Sequence, residues 1–426
     1  MNNSLSERLS WYELTLAGIF FLFPQLLLLI KGSMSGSLLL LFFSSLFWIA
    51  LRLRANTRFR EIVDRPSVLF GVAMACPWLV VAISEIAQGR WLWANFDGPS
   101  RFLLVVPVFI TLRTVDLRCF RGIELGLPLG AIVAGLIALI APIDWGYGRV
   151  GSSFVNPIHF GNLALALGML SIFSINWGRL DPFHMRIVKL VGFGSAVFAS
   201  IASGSRGGWI ALPPLLATWI WYSRSEVRRK DLLLMIAALM IVVFFGYDEI
   251  NHRISALRKD LLDIQAGTSD SSLGIRLQHW QVGIRMFIDN PLFGAGLGSF
   301  NHHAAHFVSQ GLLTPLAAEY GSGEMHNELV SKLAQTGLIG AIGSFAIYLI
   351  PFLMFISRLD DCDLFGRRSA QMGVSVVVSF FIFGLTVEIF SLKMTTSFYA
   401  LIITILLAAA LHRGKPNVQR TDSDVE

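Results

Sequence analysis

The sequence is short of charge and of cysteine, and each shortage excludes whole classes of protein. Only 15% of the 426 residues are Asp, Glu, Lys or Arg, where a soluble domain carries about 25%. That deficit excludes a water-filled globule, a disordered chain and a nucleic-acid binder of the usual kind. The three cysteines, Cys76, Cys119 and Cys362, are far apart and form no C-x-x-C pair, so neither a disulfide scaffold nor a thiolate zinc site is in view. There is no H-E-x-x-H, no G-x-S-x-G and no Walker loop. What the chain has in abundance is apolar: 54% of residues, with 33 Phe, 11 Trp and a mean hydropathy of +0.63. The reading is an all-α polytopic membrane protein. No cleavable signal peptide is apparent, because the run from Leu14 to Ile30 has polar flanks and is long enough to stay as a span.

A bilayer core takes about 20 apolar residues per helix, fewer in short spans. Twelve spans are expected, near 13–30, 36–51, 67–86, 101–113, 122–141, 155–176, 187–203, 208–222, 231–247, 327–357, 369–390 and 395–412. The span at 327–357 has length to spare for a tilt or for an end that projects into water. Counting from a cytoplasmic N-terminus, 22 of the 34 Lys and Arg fall on the cytoplasmic side and six on short outer loops and span ends. The net charge of +6 is therefore topological, as cytoplasmic loops retain basic residues. Residues 1–247 then hold nine spans, 248–326 form one large periplasmic loop, 327–412 hold three more spans, and 413–426 are a cytoplasmic tail.

A loop that long is usually functional. It carries six of the nine His and five basic residues against eight acidic ones, so an anion there must be held by particular arginines and not by a general field. Ser269 to Ser272 can cap a helix from about Leu273 to Ile288, stopped by Asp289-Asn290-Pro291. At 100° per residue, Arg276, His279, Trp280, Gly283 and Phe287 share one face of it, and Arg285 lies about 180° from Arg276. Asn290 to Phe300 is a Gly-rich turn region.

The candidate chemistry is sparse. His326-Asn327-Glu328 opens the tenth span. An imidazole there can take a proton from an acceptor hydroxyl, or it can merely cap the helix. Glu328 and Lys332 form an i,i+4 pair. Arg206 sits in Ser203-Gly-Ser-Arg-Gly-Gly208. It is either a guanidinium that grips a phosphate beside a permissive backbone or a snorkelling interface arginine. His302, His303 and His306 have the spacing of a metal site but no Cys or paired carboxylates beside them. Glu85 and Glu388 are costly in lipid and require partners. Gly337, Gly340 and Gly343 read as close helix packing.

Together these features resemble the O-antigen ligase and polymerase superfamily of bacterial envelope glycosyltransferases. The resemblance rests on Gly151 to Pro157, Ser205-Arg206-Gly207-Gly208, Arg276 to Trp280, Pro291 to Phe300 and His326 to Gly340. It covers about residues 149 to 343; the first five spans resemble the family in topology and hydropathy alone. It implies a fold of the membrane glycosyltransferase type C class and transfer of a glycan from undecaprenyl pyrophosphate. In the ligase branch the acceptor is a lipid A-core sugar, and no metal, cofactor or nucleotide is needed. It implies pyrophosphate binding by Arg206 and Arg276 and acceptor activation by His326. Arg253 and Arg285 are further substrate-binding candidates, with Trp280 and Asn327 beside them. The polymerase branch, which uses the same lipid-linked donor, stands second. A secondary transporter stands third, but the chain shows none of the internal repeats that reading requires.

Overall fold

Apolar runs that cannot leave their backbone unpaired in lipid fold as helices, and the computed structural model is helical throughout its membrane part. It describes residues 2–54, 62–146, 148–177, 180–223, 229–266, 270–320, 324–360 and 363–412. The tail 413–426 and most of the 224–230 loop lie outside the described residues. The helices are α1 (Asn2–Leu26), α2 (Ser33–Arg54), α3 (Arg65–Ala87), α4 (Asp97–Leu112), α5 (Arg121–Ile140), α6 (Pro157–Phe173), α7 (Phe183–Ala202), the single turn α8 (Arg206–Trp209), α9 (Leu212–Ser223), α10 (Arg229–Phe245), α11 (Tyr247–Gln265), α12 (Ser272–Asp289), α13 (Ser299–Ser309), α14 (Pro315–Glu319), α15 (Glu328–Ile356), α16 (Leu364–Gly384) and α17 (Lys393–Ala410). Among the described residues, six segments are long and apolar enough to cross a membrane: Ser33–Arg54, Arg65–Ala87, Leu117–Ile140, Phe183–Ala202, Glu328–Ile356 and Lys393–Ala410. Large apolar side chains such as Phe43, Phe47, Val72, Met240 and Phe244 stand exposed on the outer helices, as a lipid-facing surface requires. Helices α6 and α17 are apolar and buried on nearly every side, which places them at the centre of the bundle.

Two groups of connections gather at opposite ends. At one end Lys189 is wholly buried and bridges Glu124 (3.0 Å) and Asp181 (2.8 Å), while the Arg113 guanidinium grips Asp64. At the other end lie the α5–α6 and α7–α8 connections, the 385–392 connector between α16 and α17, and the insertion between α10 and α15. Glu85 finds its partners there: it accepts from Leu92 N and Asn95 Nδ2 and pairs with Arg90.

The insertion is built on the expected helix and on one that the sequence reading missed. The Ser271 hydroxyl caps α12 by accepting from Gly274 N. Helix α11 continues almost directly from α10 and was read as loop, because it lacks an apolar run. Val282, Met286, Phe300, Phe307 and Met325 form a second apolar core, which extends to Ala334. The insertion therefore packs past residue 326, onto the first turns of α15.

That overlap has a backbone cause. Gly337 breaks α15, with φ 66 and ψ −163. The two carbonyls that the break orphans, Ala334 O and Gln335 O, accept from Ala295 N (2.8 Å) and Gly296 N (3.0 Å). The two orphaned amides, Leu338 N and Ile339 N, donate to Pro291 O (2.9 Å) and Leu292 O (3.4 Å). The Gly-rich turn thus replaces the missing rungs of the helix one for one. This corrects the reading of Gly337 as a packing glycine. Gly340 and Gly343 do pack, against Val80 of α3. Helix α16 ends at Gly384, six residues short of the expected span, so Glu388 lies in the connector, where it accepts from Met325 N at 2.8 Å.

Candidate active site

Several segments of the chain converge on one polar cavity of about 530 Å³ at the insertion end. A two-residue hairpin, β1 (Ile143–Asp144) paired antiparallel with β2 (Val150–Gly151), carries Arg149 to its wall. The turn after α7 brings Ser205 and Arg206, α11 brings Arg253 and Asp260, α12 brings Arg276, and the segment before α15 brings His326. Thr386 of the connector completes the lining.

Local chemistry fixes the arginines. Gly204 has φ +62, and a Cβ there would lie 2.4 Å from Arg253 Nη2, so the turn is bare where the guanidinium crosses it. Arg253 is held from its other side by Glu249, one turn earlier, at 2.5 Å. Arg206 Nη2 reaches Asp260 at 3.2 Å, and Arg149 Nε donates to Ser203 O at 3.4 Å. Four guanidiniums face two lining carboxylates, Asp260 and Asp270. Arg206 Nη1 and Arg253 Nη2 are buried with no acceptor among the described residues. Arg276 forms no ion pair among the described residues; burial and the Arg206 charge lower its pKa. Arg149 is pushed down to about 10, by burial first and then by Arg253, Arg276 and Arg206. Groups that repel one another this way are stabilised by an anion of more than one charge.

His326 stands on the same wall with φ 50, a left-handed conformation among non-glycine residues. Its ring stacks on His279 (centroids 5.6 Å apart, planes at 16°). The His279 Nε2 contacts Ala317 O at 2.7 Å. Burial, then Arg276 and His279, push His326 down to about 4. The imidazole is therefore neutral at neutral pH, and its buried Nδ1 has no partner among the described residues; a neutral imidazole has one ring nitrogen that can accept a proton.

Of the residues singled out in the sequence, Arg206, Arg253, Arg276 and His326 line the cavity together. Arg285 does not: its side chain is 61% exposed and pairs with Asp289 on the outer face of α12. Asn327 is occupied elsewhere, its carbonyl oxygen capping α15 through Leu329 N and Val330 N and its amide donating to Leu385 O. Trp280 is half-buried off the lining, and its Nε1 has no partner among the described residues. His302, His303 and His306 are exposed on α13, also off the lining. Sequence reasoning missed Arg149, Asp260, Asp270 and Tyr320. For Asp260 a signal existed, since Arg253 and Asp260 are seven apart and share a helix face.

Fold and cavity together define a multi-pass helical membrane protein with an arginine-walled anion site closed by a helical insertion. Residues 190–345 match the family described as O-Antigen ligase, and over that core the chain resembles the O-antigen ligase superfamily. An uncharacterised protein of Haemophilus influenzae is 24% identical over 294 residues, 67% of this chain and 72% of that protein. The O-antigen ligase of Escherichia coli K12 is 26% identical over 139 residues, 31% of this chain and 32% of that protein.

Proposed function

We propose that this protein is an O-antigen ligase, which transfers a glycan from undecaprenyl pyrophosphate to a lipid A-core sugar at the periplasmic face of the bacterial inner membrane. The observation that carries the proposal is the cavity in which four arginines surround a space bordered by one neutral imidazole. Pyrophosphate is a good leaving group once its charge is met. Planar, two-point guanidinium contacts meet it in a partly desolvated site. The acceptor hydroxyl, whose pKa is far above 7, needs a base, and His326 supplies it. Attack on the anomeric carbon breaks its bond to the pyrophosphate oxygen and inverts its configuration. The bilayer solvates the polyprenyl tail beside the cavity, so membrane lipid is part of the reaction medium.

This reading takes twelve spans, both termini in the cytoplasm and 248–326 in the periplasm. With the native cysteines replaced, Ser309→Cys on the exposed end of α13 should react with an impermeant maleimide in intact spheroplasts. Labelling only after lysis would reverse the orientation. One large insertion, not two, favours the ligase over the polymerase branch. Because arginines meet the charge, purified protein should keep transferring glycan in EDTA. Loss of transfer that one divalent ion restores would bring His302 and His306 into the chemistry.

A further inference from the structure

The 385–392 connector is tied to the residues around His326 on both sides. Met325 N donates to Glu388 Oε1 at 2.8 Å, Asn327 Nδ2 donates to Leu385 O at 3.2 Å, and Phe390 N donates to Glu328 Oε2 at 3.3 Å. Three of the four residues 325–328 are therefore pinned to this one connector. The fourth, His326, holds a left-handed backbone. L residues keep such a conformation only where their surroundings impose it. The same connector reaches the anion side of the cavity. Thr386 lines the cavity and packs on Gly207, where a Cβ would lie 2.3 Å from its Oγ1.

We propose that the connector is the positioning element of the transfer centre, and that Glu388 is its principal positioning residue, holding the Met325 amide so that His326 presents its imidazole to the cavity. The inference rests on the transfer reading for its kinetic arm only. Glu388 is off the cavity lining and acts through one hydrogen bond to a backbone amide; burial and the Glu328 charge push its carboxyl up to about 7, so the bond does not depend on a fixed charge. What that bond requires is reach, because Met325 N must meet an oxygen at the end of a three-carbon side chain. The two nearest isosteres separate reach from charge. Glu388→Gln keeps an oxygen in place and loses the charge, while Glu388→Asp keeps the charge and falls one methylene short.

The test uses full-length protein in nanodiscs with a polyprenyl-pyrophosphate-linked glycan as donor. Glu388→Gln should stay within about fivefold of the wild-type kcat. Glu388→Asp and Glu388→Ala should lose about 10- to 100-fold, the scale expected when a reacting group is misplaced by about 1 Å. The KM for donor should stay within about twofold in all three, since the arginines are untouched. A second arm needs no turnover: carbethoxylation of His326 by diethyl pyrocarbonate, read by mass spectrometry against exposed His302. Its rate should change several-fold in Glu388→Asp and match wild type in Glu388→Gln. If wild type proves inactive as a ligase, this arm still decides the positioning claim. An Asp variant as good as the Gln variant in kcat and labelling would overturn the proposal. So would equal loss of kcat and donor binding in all variants, which would mark a general structural role.

Discussion

Replacing Arg206 or Arg276 with lysine should lower turnover about 10- to 100-fold and weaken donor binding, although each change keeps the positive charge. Hydrogen bonds to charged groups are worth about 1.5–3 kcal/mol each, and the guanidinium offers two in a fixed plane where an ammonium offers a point charge. Arg206 already uses Nη2 on Asp260 and leaves Nη1 buried and unpaired. A lysine has three donors but no planar fork, so it could meet the carboxylate and the phosphate only by giving up the two-point grip on the phosphate. Arg276 has no carboxylate partner among the described residues, so its whole donor set is open to the ligand. Arg285→Lys is the internal control, because its exposed pair with Asp289 contributes little. It should change kcat and KM less than about twofold. Equal effects at 276 and 285 would mean that the helix face does not select the site.

His326→Ala should cut kcat about 10²–10⁴-fold, the usual contribution of a general base, and leave donor binding nearly intact. In cells, lipid-linked glycan should accumulate while lipid A-core stays bare; core carrying a single repeat unit would point to the polymerase branch instead. The pH profile adds a sharper test. Burial and Arg276 hold the free-enzyme imidazole near 4. Transfer requires its neutral form, so kcat/KM should rise with pH through about 4, not through 6.5. Bound pyrophosphate offsets the Arg276 charge and favours imidazolium, so the acid limb of kcat should lie above that of kcat/KM. An acid limb at 6.5 in both would describe a solvated histidine with no role in the cavity.

Much of this site was legible in the sequence, for physical reasons that differ by residue. Arg206 stands out because its turn is bare of side chains. Arg276 and Arg285 separate by helix arithmetic, and the structure places one on the cavity and the other in solvent. Arg149 was illegible because it arrives on a two-residue hairpin, too short for any periodicity. Helix α11 has no continuous apolar run of membrane length, but Ile250, Ile254, Leu257, Leu261 and Ile264 recur at helical spacing, a signal that a search for spans passes over; another face lines the cavity with Arg253 and Asp260. Asn327 was assigned to substrate, although Asn before a helix with two free amides ahead of it is a capping pattern. Gly337 was misread because its threefold spacing with Gly340 and Gly343 mimics a packing stripe, and spacing carries no information about φ.

The break at Gly337 also bears on how the protein is made. A helix released into the bilayer normally brings all its own hydrogen bonds, but folded α15 lacks two of them, which leaves four groups to be met from outside. With Pro291 to Gly296 undocked, that break would leave Ala334 O, Gln335 O, Leu338 N and Ile339 N unpaired, at a cost of several kcal/mol each in lipid, so the undocked segment is driven to keep a continuous helix through Gly337. The turn that satisfies those groups precedes α15 in the chain, and in the proposed topology it lies on the far side of the membrane from the ribosome. Formation of the break is thus conditional, in that topology, on a segment already translocated, and the bilayer acts as a proofreader: α15 takes its broken shape only once the insertion has folded against it.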